Sequence, residues 1–174
     1  MKKLALFFIT CLSCLTVFAQ HPEETGHDKK HFISITIAQT FIPRGANMDN
    51  LNHKGHFVPG IGFDYLYRVK PKLEVGVMLD FELGRYIIPH QDDLVRDHAF
   101  VVAGVLAYSI TPHWNVFGGG GIELEKHHNL GVFRLGTEYN FEIGKHWSIP
   151  VGLFYDIKEG YDTFSLSVGI GKAF

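Results

Sequence analysis

The feature that most constrains this chain is a strict two-residue alternation of apolar and polar side chains, repeated along its length. In Leu73–Leu83 the odd positions are Leu73, Val75, Val77, Leu79, Phe81 and Leu83, and the even positions are Glu74, Gly76, Met78, Asp80 and Glu82. Phe133, Leu135, Thr137, Tyr139 and Phe141 alternate with Arg134, Gly136, Glu138, Asn140 and Glu142. Phe164, Leu166, Val168 and Ile170 alternate with Ser165, Ser167, Gly169 and Gly171. Successive side chains of a strand point to opposite faces, so this pattern predicts strands with one apolar and one polar face. No sustained helical periodicity competes with it.

Eight strands are predicted, over residues 31–43, 57–69, 72–87, 98–110, 113–125, 130–143, 146–157 and 161–174. The fourth is apolar on both faces around Ala99-Phe100-Val101-Val102, so its register is open. Gly118–Gly121 interrupts the fifth and marks a bend or a close backbone approach. No phosphate-loop pattern surrounds it. The connections alternate in kind. Val69-Lys70-Pro71-Lys72, Thr111-Pro112-His113 and Gly144-Lys145 are tight turns. Residues 44–56 and 88–97 are long and polar. That is the layout of an up-and-down barrel with short turns at one end.

The first residues belong to a different logic. Lys2 and Lys3 precede an apolar run from Leu4 to Phe18, and Val17-Phe18-Ala19 offers a cleavage site before Gln20. This predicts a secretory signal peptide over 1–19, a polar His-rich periplasmic segment over 20–30 and a barrel domain over 31–174. Both cysteines, Cys11 and Cys14, lie inside the leader, so the mature chain has no disulfide framework and no thiolate chemistry. A lipoprotein reading through Cys14 lacks the leucine expected three residues before it. Formal net charge is −2, which excludes a strongly basic nucleic-acid binder.

Periodicity does not say which face points outward; a soluble lipocalin-like binding barrel alternates in the same way. Secretion, a polar face almost free of lysine, and aromatics at both strand ends favour a membrane barrel. Tyr67, Tyr108, Trp114, Phe141, Trp147 and Phe174 fall near the short turns. Phe41, Phe57, Phe81, Phe100, Tyr155 and Phe164 fall near the long loops.

The leader, the eight alternating segments and terminal Phe174 resemble the small OmpA/OmpX-type outer-membrane β-barrel family. The Ala19-Gln20 junction and the Gly-Ile-Gly-Lys-Ala-Phe ending are similar to Bacteroidetes-like members. The resemblance implies an all-β, eight-stranded antiparallel up-and-down transmembrane β-barrel in the cell outer membrane, with both termini periplasmic. It implies outer-membrane lipid and the barrel assembly machinery as partners, with Phe174 as the membrane-insertion signal. Lys172 departs from the aromatic or apolar residue usual at that place; its long stem lets it snorkel to the interface.

The polar face then becomes a lumen carrying Asp64, Arg68, Glu74, Asp80, Glu82, Glu123, Arg134, Glu138, Glu142 and Asp156. A barrel of this strand number is filled by its own side chains, and buried charges persist when paired. The expected function is therefore a non-enzymatic structural or surface-interaction barrel, with a surface partner reached through residues 44–56 and 88–97. The acid surplus leaves a narrow cation channel as an alternative.

Eleven histidines fall at the two barrel ends. The outer set, His53, His56, His127 and His128, is the candidate for capturing a transition metal, with Asp92, Asp93 and Glu125 nearby in sequence. On that reading the chain is a metal-binding transport accessory; otherwise no cofactor is expected. His21, His27 and His31 form a second group before the first strand. His146-Trp147-Ser148 is the nearest thing to a base–nucleophile pair, and it lies at the short-turn end. No catalytic set is recognisable by spacing.

Overall fold

The computed structural model describes residues 29–47, 55–89, 94–126 and 128–174. The leader over 1–19 and residues 20–28, with His21 and His27, lie outside the described residues. Ten strands follow in order: β1 (His31–Ile42), β2 (His56–Lys70), β3 (Leu73–Glu82), β4 (Arg85–Ile88), β5 (Leu94–Asp97), β6 (Phe100–Ser109), β7 (Trp114–Leu124), β8 (Leu130–Glu142), β9 (Trp147–Lys158) and β10 (Tyr161–Ala173).

Eight of them close a barrel in the order β1-β10-β9-β8-β7-β6-β3-β2, every pair antiparallel. The fold is thus an all-β, eight-stranded up-and-down barrel. β10 pairs with β1 from Phe32–Ala173 to Phe41–Phe164. His31 and Phe174 exchange both backbone hydrogen bonds, at 3.0 and 2.9 Å, so the two ends of the wall meet.

The third expected strand departs from its predicted span. The wall strand ends at Glu82 rather than at residue 87. Gly84 lies tightly against Val58, where a Cβ would come within 2.9 Å of a valine methyl, and the chain turns inward there. Residues 85–88 then pair with 94–97 as a separate two-stranded hairpin, joined to the first long loop by an Ala46–Ile87 bridge. Residues 85–88 and 94–97 therefore form a folded cap, not a free polar loop; residues 90–93 lie outside the described residues. His98, with φ of 53°, returns the chain to the wall.

Orientation is unambiguous. Ile37 is 65% exposed, Phe57 60% and Leu166 57%, while Ser34, Thr36, Ser165 and Ser167 on alternate positions are buried. The apolar face points out and the polar face in, the reverse of a lipocalin-like soluble barrel. β6 resolves its own ambiguity by size. Val101, Ala103, Val105 and Ala107 face inward; Leu106 and Tyr108 face outward.

The glycine run makes a close backbone approach. A Cβ on Gly119 would lie 1.9 Å from the Gly104 carbonyl oxygen, and one on Gly121 would lie 1.9 Å from that of Val102. Backbone cannot swing aside as a side chain can, so β6 and β7 would have to separate. Gly119→Ala is expected to destabilise the refolded barrel by about 1–3 kcal/mol. Gly120→Ala, whose Cβ meets only the Val132 carbonyl oxygen at 3.7 Å, should be close to neutral. Urea unfolding midpoints of the two variants check this contrast.

Candidate functional site

The interior is the candidate site, and it is layered from the short turns to the long loops. At the short-turn end the Arg68 guanidinium reaches back across the β2–β3 turn to Glu74, at 2.9 and 3.0 Å. Above it lies an apolar layer that the sequence did not announce: Leu66, Met78, Phe117 and Phe154, with Ala103, Val105 and Ala107 opposite and Phe32 packed against them. The small inward residues of β6 leave room for the two phenylalanines. Gly136 does the same from β8, since a Cβ there would lie 2.4 Å from the Phe117 ring.

Two carboxylates border this layer. Asp64 accepts a hydrogen bond from Ser34 Oγ at 2.7 Å. Glu138 accepts one from Asn140 Nδ2 at 2.9 Å. Arg134 occupies the middle of the lumen. It binds Asp156 in bidentate fashion, at 2.7 and 2.8 Å, and its third nitrogen reaches Asp80. Its guanidinium also lies 4.3 Å from the Phe154 ring centre, a buried cation–π contact. Planar guanidinium with two carboxylates is the strong form of such pairing.

Next comes a cluster centred on Lys158, whose ammonium lies 2.6 Å from Glu123 and 3.1 Å from Glu82. Tyr161 donates to Glu123 at 2.8 Å, and Tyr86 donates to Glu82 at 2.6 Å. Burial, reinforced by Glu82, raises the Tyr86 phenol well above its ordinary pKa, so the hydroxyl stays a donor. Arg96, fully buried on β5, adds a second cation: its Nε is 2.9 Å from Glu123, and its Nη1 faces Glu125 and the His128 carbonyl. Ile42, Val58, Tyr86, Ile88, Leu130 and Tyr161 close the mouth as a second apolar layer, with Leu94 against them.

Nine of the ten lumen residues expected from sequence therefore sit in the interior or, for Arg68, at its short-turn rim. Glu142 does not. It has inward parity, but it is the last residue of β8, beyond the enclosed part of the lumen. Its side chain is 68% exposed and lies 3.7 Å from His113 Nδ1. Four participants were missed: Lys158, Tyr161, Tyr86 and Arg96. Lys158 shares the parity of Phe154 and Asp156, and carrying the alternation one step further would have placed it inside. Arg96 and Tyr86 had a weaker signal: Arg-Tyr-Ile-Ile and Leu-Val-Arg-Asp flanking a polar tip.

Of the four candidate metal histidines, His53 and His127 lie outside the described residues. His56 packs beside the Tyr86 ring, with centroids 6.3 Å apart, and His128 contributes its carbonyl to Arg96. Among the described residues no group of three or more His, Asp or Glu side chains is arranged to hold a metal ion. Ser148 is buried and donates to Asn140, while His146 is exposed in the β8–β9 turn, so the two are turned to different surroundings. Phe174 is exposed and stacks on His31, with ring centroids 5.3 Å apart.

Two voids lie in the lumen, one beside Asp80 and Thr40 and the other beside Asp64 and Glu138, each of about 10 Å³. That is the lower limit for one water molecule.

No protein-family model and no curated protein matches the chain. Solved structures do. The N-terminal β-barrel domain of Pseudomonas aeruginosa OprF is 10% identical, covers 84% of this chain and all of its own length, and superposes with a TM-score of 0.55. Ail, the attachment invasion locus protein of Yersinia pestis, is 16% identical over 84% of this chain and 99% of its own, with a TM-score of 0.52. At these identities the likeness is one of fold: a closed barrel of small outer-membrane type.

Proposed function

We propose that this chain is a non-enzymatic outer-membrane barrel, closed to solutes, with a structural or surface-presenting role. The observation that carries the reading is the inversion of the fold. A wall of exposed Ile, Val, Leu and Phe surrounds a charged interior in which the cations and most carboxylates are paired. In hydrocarbon, only a closed sheet satisfies every backbone group, and wall strands of 10 to 15 residues are long enough to cross it when tilted. Exposed Tyr108, Trp114, Tyr139, Phe141 and Trp147 ring the short-turn end, and Phe57, Phe81 and Phe164 the other, as expected at two membrane–water interfaces. Terminal Phe174, in the closing seam, is suited to be the signal read by the assembly machinery.

Two observations support a closed lumen: the Phe117–Phe154 layer and the folded cap. The surface offered to a partner is then the cap together with the loop over residues 44–56, rather than two free loops. Ail, a barrel of this fold, carries the name attachment invasion locus protein.

Fractionation tests the membrane part. The protein is expected with outer membranes and should show heat-modifiable gel mobility; recovery as a freely soluble periplasmic protein would overturn the reading. Planar-bilayer recording tests the closed lumen, and no sustained current is expected. A steady cation-selective current, lost on Asp80→Ala and Glu138→Ala, would instead establish a channel.

A further inference from the structure

Among the described residues the two ends of the barrel differ in charge. Of the eight lysines among the described residues, six lie at the short-turn end: Lys29, Lys30, Lys70, Lys72, Lys145 and Lys172. With Arg68 paired to Glu74, the remaining described carboxylate side chain there is Glu142, itself beside His113. At the long-loop end, outside the buried network, Arg44, Arg85 and Lys126 are matched by Asp97, Glu159 and Asp162.

The lysines are also held at one level. Lys172 is opposite Trp147 in the β9–β10 register, and its ammonium sits 5.2 Å from the indole ring centre. Lys29 donates to the Lys145 carbonyl at 2.9 Å, which draws the chain before β1 onto the β8–β9 turn. Lys70 at the end of β2, and Lys72 and Lys145 in turns, are exposed directly beyond the aromatic ring. Lysine stems that run along an apolar wall place their charge at headgroup height.

We propose that the short-turn end is a docking collar for anionic phospholipid headgroups, with Lys70, Lys72, Lys145 and Lys172 as its main contacts. The proposal rests on the membrane reading above. Charge complementarity selects the occupant: a ring of ammonium groups without a carboxylate partner among the described residues, continuous with a lipid-facing wall, meets the headgroups of the leaflet on that side. Net negative headgroups gain from it, and zwitterionic ones gain little. The collar also accounts for Lys172, which interrupts the apolar outward stripe that runs from Phe164 to Phe174.

The test is lipid retention. The barrel is reconstituted in phosphatidylcholine vesicles containing a minority of phosphatidylglycerol and gently extracted, and bound lipids are counted by native mass spectrometry. Phosphatidylglycerol should be enriched over its bulk share by about threefold or more. The enrichment should vanish in high salt and in the Lys70→Gln, Lys72→Gln, Lys145→Gln, Lys172→Gln variant, and should survive Lys126→Gln. Bulk-share retention by the unaltered barrel, or enrichment that survives the fourfold change, overturns the proposal. So does displacement by inorganic phosphate at constant ionic strength, which would make the collar a discrete anion site. Co-flotation with vesicles and the heat-shifted band report separately on the membrane reading. If the fourfold variant loses that band, Lys172→Gln alone and the salt dependence of the unaltered barrel decide.

Discussion

Replacing Arg134 by Met should destabilise the barrel by about 3–5 kcal/mol, read as a fall in the urea midpoint of protein refolded in lipid vesicles. The substitution keeps roughly the same stem, so loss of packing contributes little. What remains is Asp80 and Asp156 facing one another in the lumen, with three charge-assisted hydrogen bonds gone. Removing one member of a buried ion pair costs more than the pair itself contributes, because the abandoned charge stays desolvated. The same reasoning gives the companion result: Arg134→Met combined with Asp80→Asn and Asp156→Asn should recover most of the lost stability. A loss below about 1 kcal/mol for the single change would mean that water reaches these carboxylates and that the lumen is open.

The second large effect is confined to the cap. Arg96→Ala should free the β4–β5 hairpin, raising amide hydrogen exchange over Leu94–Asp97 by roughly 30- to 100-fold, or about 2–3 kcal/mol. The hairpin has four residues on each side and is tied to the first loop by one isolated bridge. Its other anchors include the packing of Tyr86, Ile88 and Leu94, the Tyr86 hydrogen bond to Glu82 and the Arg96 ion pair. The effect is smaller than that of Arg134 because Arg96 Nε and Nη2 make no hydrogen bond among the described residues, the Nε contact with Glu123 being one of charge alone. Glu123 still keeps Lys158 and Tyr161 when Arg96 is gone. The wall amides of β8 and β9 should therefore exchange as before. Equal loosening of wall and cap would show that Arg96 braces the barrel as a whole.

The wall was legible because its physics is local. A side chain that must face hydrocarbon or lumen declares its face at every second residue, and the wall strands could be read from that rule except β6, whose two faces are both apolar. The central charges followed as well: Asp80, Arg134 and Asp156 come together from three strands because each has inward parity. The rule fails where the chain leaves the wall. Tyr86 and Arg96 are inside because a hairpin folds over the mouth, and no alternation records that turn. Glu142 obeys the alternation but stands past the enclosed lumen, which periodicity cannot measure. The Phe117 and Phe154 layer was hidden for another reason. Alternation alone sends apolar residues outward, yet a narrow interior also needs bulk, and small alanines and glycines such as Ala103, Ala107 and Gly136 are its trace in the sequence.

The seam between β1 and β10 sets the order in which such a molecule can be made. Neighbouring wall strands can zip as hairpins while the chain is still arriving, but Phe41 meets Phe164 and Phe32 meets Ala173 only after everything between them is in place. Closing that long loop carries the entropic burden of the whole sheet, and it comes last. Until then two strands present unsatisfied edges of the kind that recruit other chains. The vulnerable species in biogenesis is thus an open, gutter-shaped sheet, and its lifetime is governed by how quickly the final strand finds the first.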